Sequence, residues 1–250
     1  MRTIGLKTAA VIARAGNKVL SFAAAVMILL LLLYGGYSLW DTVMVYKGAF
    51  ADDELMRFKP SDNSGNNPTL DELRKINPDV CGWITIQDTN IDYPVVQGKT
   101  DMEYINKDVY GEFSLSGSVF LDSRNQPDFS DSYSLVYGHH MANGAMFGDI
   151  VKFVNNSYFV KHKTGTLYLP DDTYTINLFA CMKTDAFDSR IFYPDSQNRE
   201  NLNEFLEYIR IGAVQYRETD VKAGDSLIGL STCSEAETNG RVVVFGWLKR

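Results

Sequence analysis

The longest hydrophobic stretch of the chain lies near its amino terminus. Residues 19–40 contain no charged residue, and a helix of this length is about 30 Å long, enough to cross a bilayer. A secretory signal has a shorter apolar region, followed by a cleavage site of small residues. Here Gly36 is followed by Tyr37 and Trp40, and aromatic residues are typical of a membrane interface. The pattern therefore predicts an uncleaved transmembrane anchor rather than a buried core helix, which would have a polar face.

Beyond residue 69 the pattern changes to short runs rich in Val, Ile, Tyr, Phe and Thr, separated by turn residues. Such runs are typical of β-strands. A mainly β fold is therefore predicted, either a closed barrel or a sandwich, and closure would remove exposed strand edges. The eight predicted strands lie near residues 80–86, 91–97, 116–122, 133–139, 164–170, 173–183, 225–232 and 241–249.

Helical patterns precede and interrupt these strands. Residues 41–59 mix apolar and charged residues, which predicts a juxtamembrane helix, and the polar run 60–68 predicts a flexible linker. Thr69 and Glu72 have the spacing of a capping box and predict a short helix that ends at Asn77. The chain thus divides at residues 18, 40 and 68, and the last part, 69–250, forms one domain. Two further helices are predicted near 146–155 and 199–212, the second from its apolar periodicity.

Charge is distributed unevenly along the chain. The formal net charge is −7, but residues 1–18 contain four basic residues and no acidic one. The acidic remainder lacks the electrostatic footprint of nucleic-acid-binding proteins, which excludes that class. Basic residues next to a membrane span stay on the cytoplasmic side. The predicted topology is therefore a single-pass membrane protein with a cytoplasmic basic tail, residues 1–18, and with residues 41–250 outside the cell.

Three cysteines lie in this predicted exterior part. An odd number leaves at least one thiol unpaired. Cys81 and Cys181 lie in apolar strand-like runs, where cysteine usually packs as a small hydrophobic residue, and a disulfide between them stays open. Cys233 differs, because it stands where the apolar run 225–232 ends and a polar loop begins.

Other residues able to do chemistry stand at strand ends, where a rigid sheet meets an open loop. His139 and His140 follow an apolar strand, Arg241 opens the last strand, and His162 is predicted to be exposed on the surface. A cysteine nucleophile needs its thiolate form, which a nearby histidine or arginine favours. A fixed guanidinium can also stabilise an oxyanion. The residues alone make Cys233 and a histidine a candidate dyad, whereas an arginine at a strand start is usually a solvated end.

Several segments of the sequence together resemble sortases. Leu230-Ser231-Thr232-Cys233, followed by Arg241 and a Val-rich last strand, resembles the sortase active-site signature. Tyr137-Gly138-His139, with Met141 and then Met146-Phe147, resembles the histidine segment of class B sortases. The resemblance implies an eight-stranded sortase-type β-barrel with peripheral helices, preceded by an amino-terminal anchor. Agreement extends over about residues 70–250 and includes the segments 82–84, 91–97 and 117–125 and the helix at 199–212.

The resemblance implies roles for individual residues. Cys233 would be the nucleophile, His139 the general acid and base, and Arg241 the residue that positions the substrate and stabilises the oxyanion. His139 is preferred to His140 because the family's histidine directly follows the glycine, and side chains alternate in direction along a strand. Four residues are weaker candidates for substrate binding, namely Ser231, Thr232, Glu235 and Asp101. Asp101 stands where some class B enzymes have an asparagine.

The implied activity is that of a cysteine transpeptidase. It would cleave an LPXTG-like or NPQTN-like sorting motif at the carboxyl end of secreted proteins, form a thioester and transfer the protein to a cell-wall amine. The implied partners are such secreted proteins and a peptidoglycan precursor or cross-bridge amine, with a pilin lysine as an alternative acceptor. No metal or organic cofactor is implied.

Two other functions remain open from the sequence. A papain-like cell-wall endopeptidase also pairs cysteine with histidine, but usually places its cysteine before the histidine and at a helix start. An anchored, non-catalytic β module for adhesion would explain the span and the strands. It would not explain the three segments around His139, Cys233 and Arg241 together.

Overall fold

A computed structural model of the chain describes residues 2–46, 49–61, 67–222, 224–233 and 239–250, without the side chains of residues 2–9, 45 and 233. The chain divides into two compact units, Met1–Val45 and Tyr46–Arg250. A single helix, α1, extends over Arg2–Tyr46, through the first unit and one residue beyond it. Its part Ala10–Met44 is long and apolar enough to cross a membrane, and none of its most apolar window is buried. This amino-terminal helix suggests membrane anchoring, in agreement with the predicted span.

The second unit is built around a closed barrel. Eight strands form a ring in the order β5-β1-β2-β3-β4-β8-β9-β6, which pairing of β5 with β6 closes, and β7 adds to β6 outside the ring. The predicted eight-stranded barrel is confirmed, and β7 is a strand that the hydrophobic pattern did not predict. The strands are β1 (Val80–Ile86), β2 (Asp92–Val96), β3 (Val119–Leu121), β4 (Tyr133–Tyr137), β5 (Thr164–Tyr168), β6 (Thr173–Asp185), β7 (Ala213–Tyr216), β8 (Ser226–Cys233) and β9 (Gly240–Lys249).

Three neighbouring strands determine where the candidate residues lie. β4 is parallel to β8, and β8 is antiparallel to β9. The carboxyl ends of β4 and β8 and the amino end of β9 therefore meet at the same end of the barrel. Both faces of these strands are largely buried, so their positions are fixed by packing on each side.

The helices of the second unit are α2 (Asp53–Met56), α3 (Pro68–Ile76), α4 (Asn156–Lys161), α5 (Ser189–Phe192) and α6 (Leu202–Gly212). The helix predicted over 199–212 corresponds to α6, whose Leu202, Phe205 and Ile209 are buried in a core cluster with strand residues. This apolar face has the spacing that the periodicity predicted.

Two local predictions were wrong, and a third was right in position but not in helix type. The single juxtamembrane helix over 41–59 is absent from the described residues there, since α1 ends at Tyr46 and α2 covers only Asp53–Met56. The helix predicted over 146–155 is a 3-10 helix, Gly148–Val154, followed by α4. The capping box is not formed, because α3 begins at Pro68 with Asn67 as its N-cap, and proline suits the first turn of a helix. Most of the predicted linker, residues 62–66, lies outside the described residues.

His162 was predicted to be exposed, and this is wrong. Its side chain is buried at the end of α4, and its ring stacks on Tyr158 with 3.8 Å between ring centroids. Its Nδ1 lies 2.7 Å from the carbonyl oxygen of Tyr158, and its Nε2 lies 3.2 Å from that of Asp88. The ring of His162 therefore contacts other groups of the protein rather than solvent.

Cys81 and Cys181 are buried and free, as the core-packing interpretation predicted. Burial raises the pKa of each thiol to about 12. Both thiols therefore stay protonated at neutral pH, and neither has the low pKa that a nucleophile requires.

Candidate active site

His139 lies directly beyond the end of β4, where the chain still follows β8. Tyr137 pairs with Ser231 in the parallel register, and the amide of Gly138 donates to the Ser231 carbonyl oxygen at 3.1 Å. On the other side, the amide of Phe147 donates to the carbonyl oxygen of His139 at 3.0 Å. The backbone of His139 is thus fixed between β8 and the returning loop.

Close packing explains the glycine before His139. A Cβ atom at Gly138 would lie 2.5 Å from Cγ of Phe147, so any larger residue would displace the Phe147 ring. The loop returns through an isolated bridge between His140 and Met146. Met146 has a positive φ of 52°, a conformation that non-glycine residues rarely adopt. We call residues 138–147 the histidine loop.

The side chain of His139 is half-buried. Burial lowers the pKa of His139 below its ordinary value of 6.5, because a charged imidazolium loses hydration there. The neutral imidazole is therefore favoured at neutral pH, and in this form one ring nitrogen accepts a proton.

The backbone of Cys233 pairs with that of Arg241. Their Cα atoms are register partners between the last residue of β8 and the second residue of β9. Arg241 is half-buried, and its Nη1 donates to the Gly240 carbonyl oxygen at 3.0 Å. Since Tyr137 pairs with Ser231, His139 and Cys233 each lie two residues further along two parallel neighbours. The backbones of the three predicted residues are therefore brought together at one end of the barrel.

Comparison with known proteins identifies the family. The family model described as "Sortase domain" matches residues 84–249. The chain belongs to the sortase family. It is 30% identical to Sortase B of Staphylococcus aureus over 88% of this chain and 92% of the relative. It is 33% identical to Sortase B of Listeria monocytogenes, over 73% and 76% of the two chains.

Solved structures agree on the class of this sortase. A Streptococcus pyogenes class B sortase involved in pilus biogenesis superposes with a TM-score of 0.67 at 48% identity, covering 72% of this chain and 97% of the other. A Staphylococcus aureus sortase B–substrate complex gives a TM-score of 0.68 at 32% identity, covering 73% and 85%. The sortase is thus of class B and is a cysteine transpeptidase. This excludes the papain-like endopeptidase and the non-catalytic adhesion module.

The weaker substrate-binding candidates of this sortase lie in different surroundings. Ser231 and Thr232 are both buried in β8, and among the described residues neither hydroxyl has a hydrogen-bond partner. Asp101 accepts a hydrogen bond from the Ser123 amide at 2.7 Å, so its carboxylate holds the loop after β3. Glu235 lies outside the described residues.

A hydrogen-bond network beside the site was missed by sequence reasoning. The hydroxyl of Tyr137 donates to Asp122 at 3.0 Å, and Arg124 donates to both carboxylate oxygens of Asp122, at 2.8 and 2.6 Å. Arg124 also donates to the Phe192 carbonyl oxygen at 2.7 Å. Asp122 is fully buried. The network therefore ties β4, immediately before His139, to the end of α5.

The aromatic ring of Tyr137 is held as firmly as its hydroxyl. It stacks on Phe120 at 5.2 Å and on Phe192 at 6.4 Å between centroids. Burial raises the pKa of Tyr137, so its hydroxyl stays protonated and keeps donating to Asp122. Both Asp122 and Arg124 stand in the segment 117–125 that resembles sortases, but a single sequence does not reveal their proximity to Tyr137. Among the described residues, no group of three His, Cys, Asp or Glu side chains could hold a metal ion.

Proposed function

We propose that Cys233, His139 and Arg241 form the catalytic group of this class B sortase. The observation that carries the proposal is the backbone register at the end of the barrel, with Cys233 opposite Arg241 and with His139 one strand away. Neighbouring strands lie about 4.8 Å apart, a separation at which side chains on adjacent strands can act on one carbonyl group.

In the proposed reaction, the neutral imidazole of His139 takes the proton of the Cys233 thiol, and the resulting thiolate attacks the threonine carbonyl carbon of a sorting motif. Negative charge develops on the carbonyl oxygen, where the fixed guanidinium of Arg241 stabilises it. The carbon–nitrogen bond then breaks, and His139 donates its proton to the leaving amine. A thioester remains on Cys233. An incoming amine attacks the thioester, His139 accepts the amine's proton, and the thiolate leaves.

The burial of His139 fits the second half of this reaction. His139 is neutral once it has protonated the leaving amine, and its lowered pKa keeps it neutral until the second amine arrives. A neutral imidazole at this position can accept the proton of the incoming amine. The same group thus serves as acid in one half-reaction and as base in the other.

We further propose that α1 anchors the sortase in the membrane, with residues 1–18 in the cytoplasm and residues 41–250 outside. Secreted proteins bearing an LPXTG-like or NPQTN-like motif would be the acyl donors. The first candidate acceptor is an amine of a peptidoglycan precursor or cross-bridge. Anchoring would raise the effective concentration of donor and acceptor at the same membrane face.

A pilin lysine is the second candidate acceptor. It is supported by the 48% identity to the Streptococcus pyogenes class B sortase involved in pilus biogenesis, which exceeds the identities of 30% and 33% to the two Sortase B relatives. A sortase from the type II pilus of Streptococcus pneumoniae is also similar, at 35% identity.

The acyl-transfer activity is tested with the full chain in detergent, using peptides that carry either motif. One amine acceptor at a time is supplied, a short glycine peptide or a lysine-containing peptide, and products are identified by mass spectrometry. We expect transfer products with the wild type and neither cleavage nor transfer with Cys233→Ala. Cleavage that persists in Cys233→Ala would remove this residue as the nucleophile.

His140 supplies a matched control for the proposed role of His139 as general acid and base. We expect His139→Ala to lower kcat at least about 100-fold, the range typical of a lost general acid or base, while His140→Ala stays near the wild type. We expect Arg241→Ala to lower kcat by about 100-fold, as loss of an oxyanion donor does. Equal effects of the two histidine substitutions, or near-normal turnover in Arg241→Ala, would contradict these assignments.

A further inference from the structure

Tyr93 carries a buried hydroxyl with two backbone partners from distant parts of the chain. The residue belongs to β2 and is 5% exposed. Its hydroxyl donates to the carbonyl oxygen of Ala49 at 3.0 Å and accepts from the amide of Met146 at 2.8 Å. Burial raises the pKa of Tyr93 to about 12, so the hydroxyl stays protonated and keeps its donor role.

Met146 closes the histidine loop. It pairs with His140, and the next residue, Phe147, donates its amide to the carbonyl oxygen of His139. A residue other than glycine with a positive φ persists when its surroundings hold it. The Tyr93 hydroxyl is the buried group that holds the Met146 amide, so the position of Tyr93 is transmitted to the backbone of His139.

The other partner of Tyr93 belongs to the segment that follows α1. Ala49 is fully buried, and Phe58 is 4% exposed within a core cluster that includes Trp83. Lys59 forms an ion pair with Asp92, the neighbour of Tyr93, at 2.6 Å. The same carboxylate accepts from Nε1 of Trp83 at 2.8 Å. Residues 49–59 are therefore held at the start of β2 by two adjacent residues.

We propose that Tyr93 is a positioning residue for His139, and that its hydroxyl connects the segment after the amino-terminal helix to the loop that presents the histidine. The inference rests on the proposed role of His139 in acyl transfer. It adds that residues 49–59 belong to the catalytic unit and support its active site, because the Ala49 carbonyl orients the hydroxyl that holds the loop.

Tyr93→Phe tests the proposal, because it removes only the hydroxyl. Tyr104→Phe is the matched control, since Tyr104 is 3% exposed and its hydroxyl donates to Asp79 at 2.7 Å and accepts from Asn77 at 2.9 Å. Its partners lie outside the histidine loop. In the full chain in detergent, we expect Tyr93→Phe to lower kcat at least about tenfold with KM within about twofold, since small displacements of a catalytic group are costly. We expect the two substitutions to lower the thermal midpoint by similar amounts. Tyr104→Phe should nevertheless keep the wild-type kcat.

Two measurements separate positioning from a general loss of stability. Hydrogen exchange of the wild type reads the Met146 amide directly, and we expect it to be protected as a core amide is. NMR titration of the His139 ring reads its surroundings. In Tyr93→Phe we expect the pKa of His139 to rise toward 6.5 as the loop loosens and the ring gains hydration, whereas in Tyr104→Phe it stays unchanged.

Several results would overturn the proposal. They are free exchange of the Met146 amide in the wild type, unchanged kcat and His139 titration in Tyr93→Phe, or an equal loss of kcat in Tyr104→Phe. The exchange and titration readouts do not depend on catalysis. Activity of His139→Ala would therefore refute the catalytic role of His139, while these readouts would still decide whether Tyr93 positions its loop.

Discussion

The burial of His139 links the candidate site to the stability of the fold. Because the pKa of His139 is lowered in the folded protein, the unfolded chain binds a proton more readily than the folded chain does. The free energy of unfolding contributed by this group is therefore present above pH 6.5 and is lost as pH falls through the window between 6.5 and the lower folded pKa.

His139→Gln tests this linkage in the full chain. We expect the free energy of unfolding of the wild type to fall more steeply with decreasing pH than that of the variant. Only the wild type has at this position an imidazole that binds a proton more readily in the unfolded chain. Urea unfolding followed by tryptophan fluorescence at several pH values between 5 and 8 measures both curves. Parallel curves over that range would contradict a lowered pKa of His139 in the folded state.

The sequence predicted the proximity of Cys233 and Arg241 better than it predicted the surroundings of the candidate site. Cys233 and Arg241 come together because one ends a strand and the other begins the next, which is visible in the hydrophobic pattern. His162 was predicted wrongly because Lys161 and Lys163 flank it, and both are exposed. The end of α4 turns the ring onto Tyr158 instead, which depends on contacts that are distant along the chain. The contact of Tyr137 with Asp122 was not predicted for the same reason.

At the scale of elements, the pairing of β6 with three other strands explains the place of β7, which the sequence did not predict. β6 is long, Thr173–Asp185, and pairs with β9 along most of its length. Its other side pairs first with β5, through Thr173–Asn177, and then with β7, through Ala180–Met182. β7 therefore covers the edge that β5 leaves unpaired, which protects the sheet from edge association. Its four residues follow α6 directly, so no turn residues separate them as a distinct strand.

Arg217 is the residue that follows β7, and its side chain stabilises this part of the sheet. Its Nη1 donates to the Leu178 carbonyl oxygen at 2.8 Å, its Nη2 donates to the carbonyl oxygen of Phe159, and its guanidinium lies 4.1 Å from the centroid of the Phe159 ring. Burial lowers the pKa of Arg217, although the group stays charged at neutral pH. The side chain thus connects β6 to α4, which explains why it is half-buried.

We expect Arg217→Met to lower the free energy of unfolding by about 2 kcal/mol, because two carbonyl groups lose a charged donor. Arg210→Met is the control. Arg210 pairs with Glu207 on α6, and both side chains are about half exposed, so its loss should change stability much less than the loss of Arg217 does. Urea unfolding of both variants in the full chain measures the difference. Similar losses in the two variants would contradict the connecting role of Arg217.

At the scale of the whole molecule, hydrophobic patterning predicted both units but not the structure of the first residues of the second unit. A charge-free stretch and eight short strands are strong periodic signals, and both correspond to elements of the structure. Residues 49–59 give a weak signal, because their mixture of apolar and charged residues also suits an exposed helix. Phe58 and Ala49 are nevertheless buried within the barrel unit. Their burial depends on partners such as Trp83, which a local pattern does not contain.

The proposed orientation of the chain in a membrane rests on the basic residues in the first part of α1, and it can be tested by removing their charge. Arg2, Lys7, Arg14 and Lys18 are the only charged residues before the apolar stretch. In cells stripped of their wall, we expect external protease to digest a tag at the carboxyl end and to spare a tag at the amino end. Replacing these four residues by Gln should weaken this asymmetry, because basic residues close to a span determine its orientation.

A control variant carries the same number of substitutions far from the span, at the exposed residues Lys75, Lys161, Lys163 and Lys222. It loses the same total charge, and we expect it to keep the wild-type orientation, because charges distant from the span contribute little. Digestion of the amino-terminal tag in the wild type would contradict the proposed topology. An equal loss of asymmetry in both variants would show that net charge, rather than the basic tail, orients the protein. A wild-type result as expected would put the Cys233 end of the barrel on the side of the membrane where secreted proteins arrive.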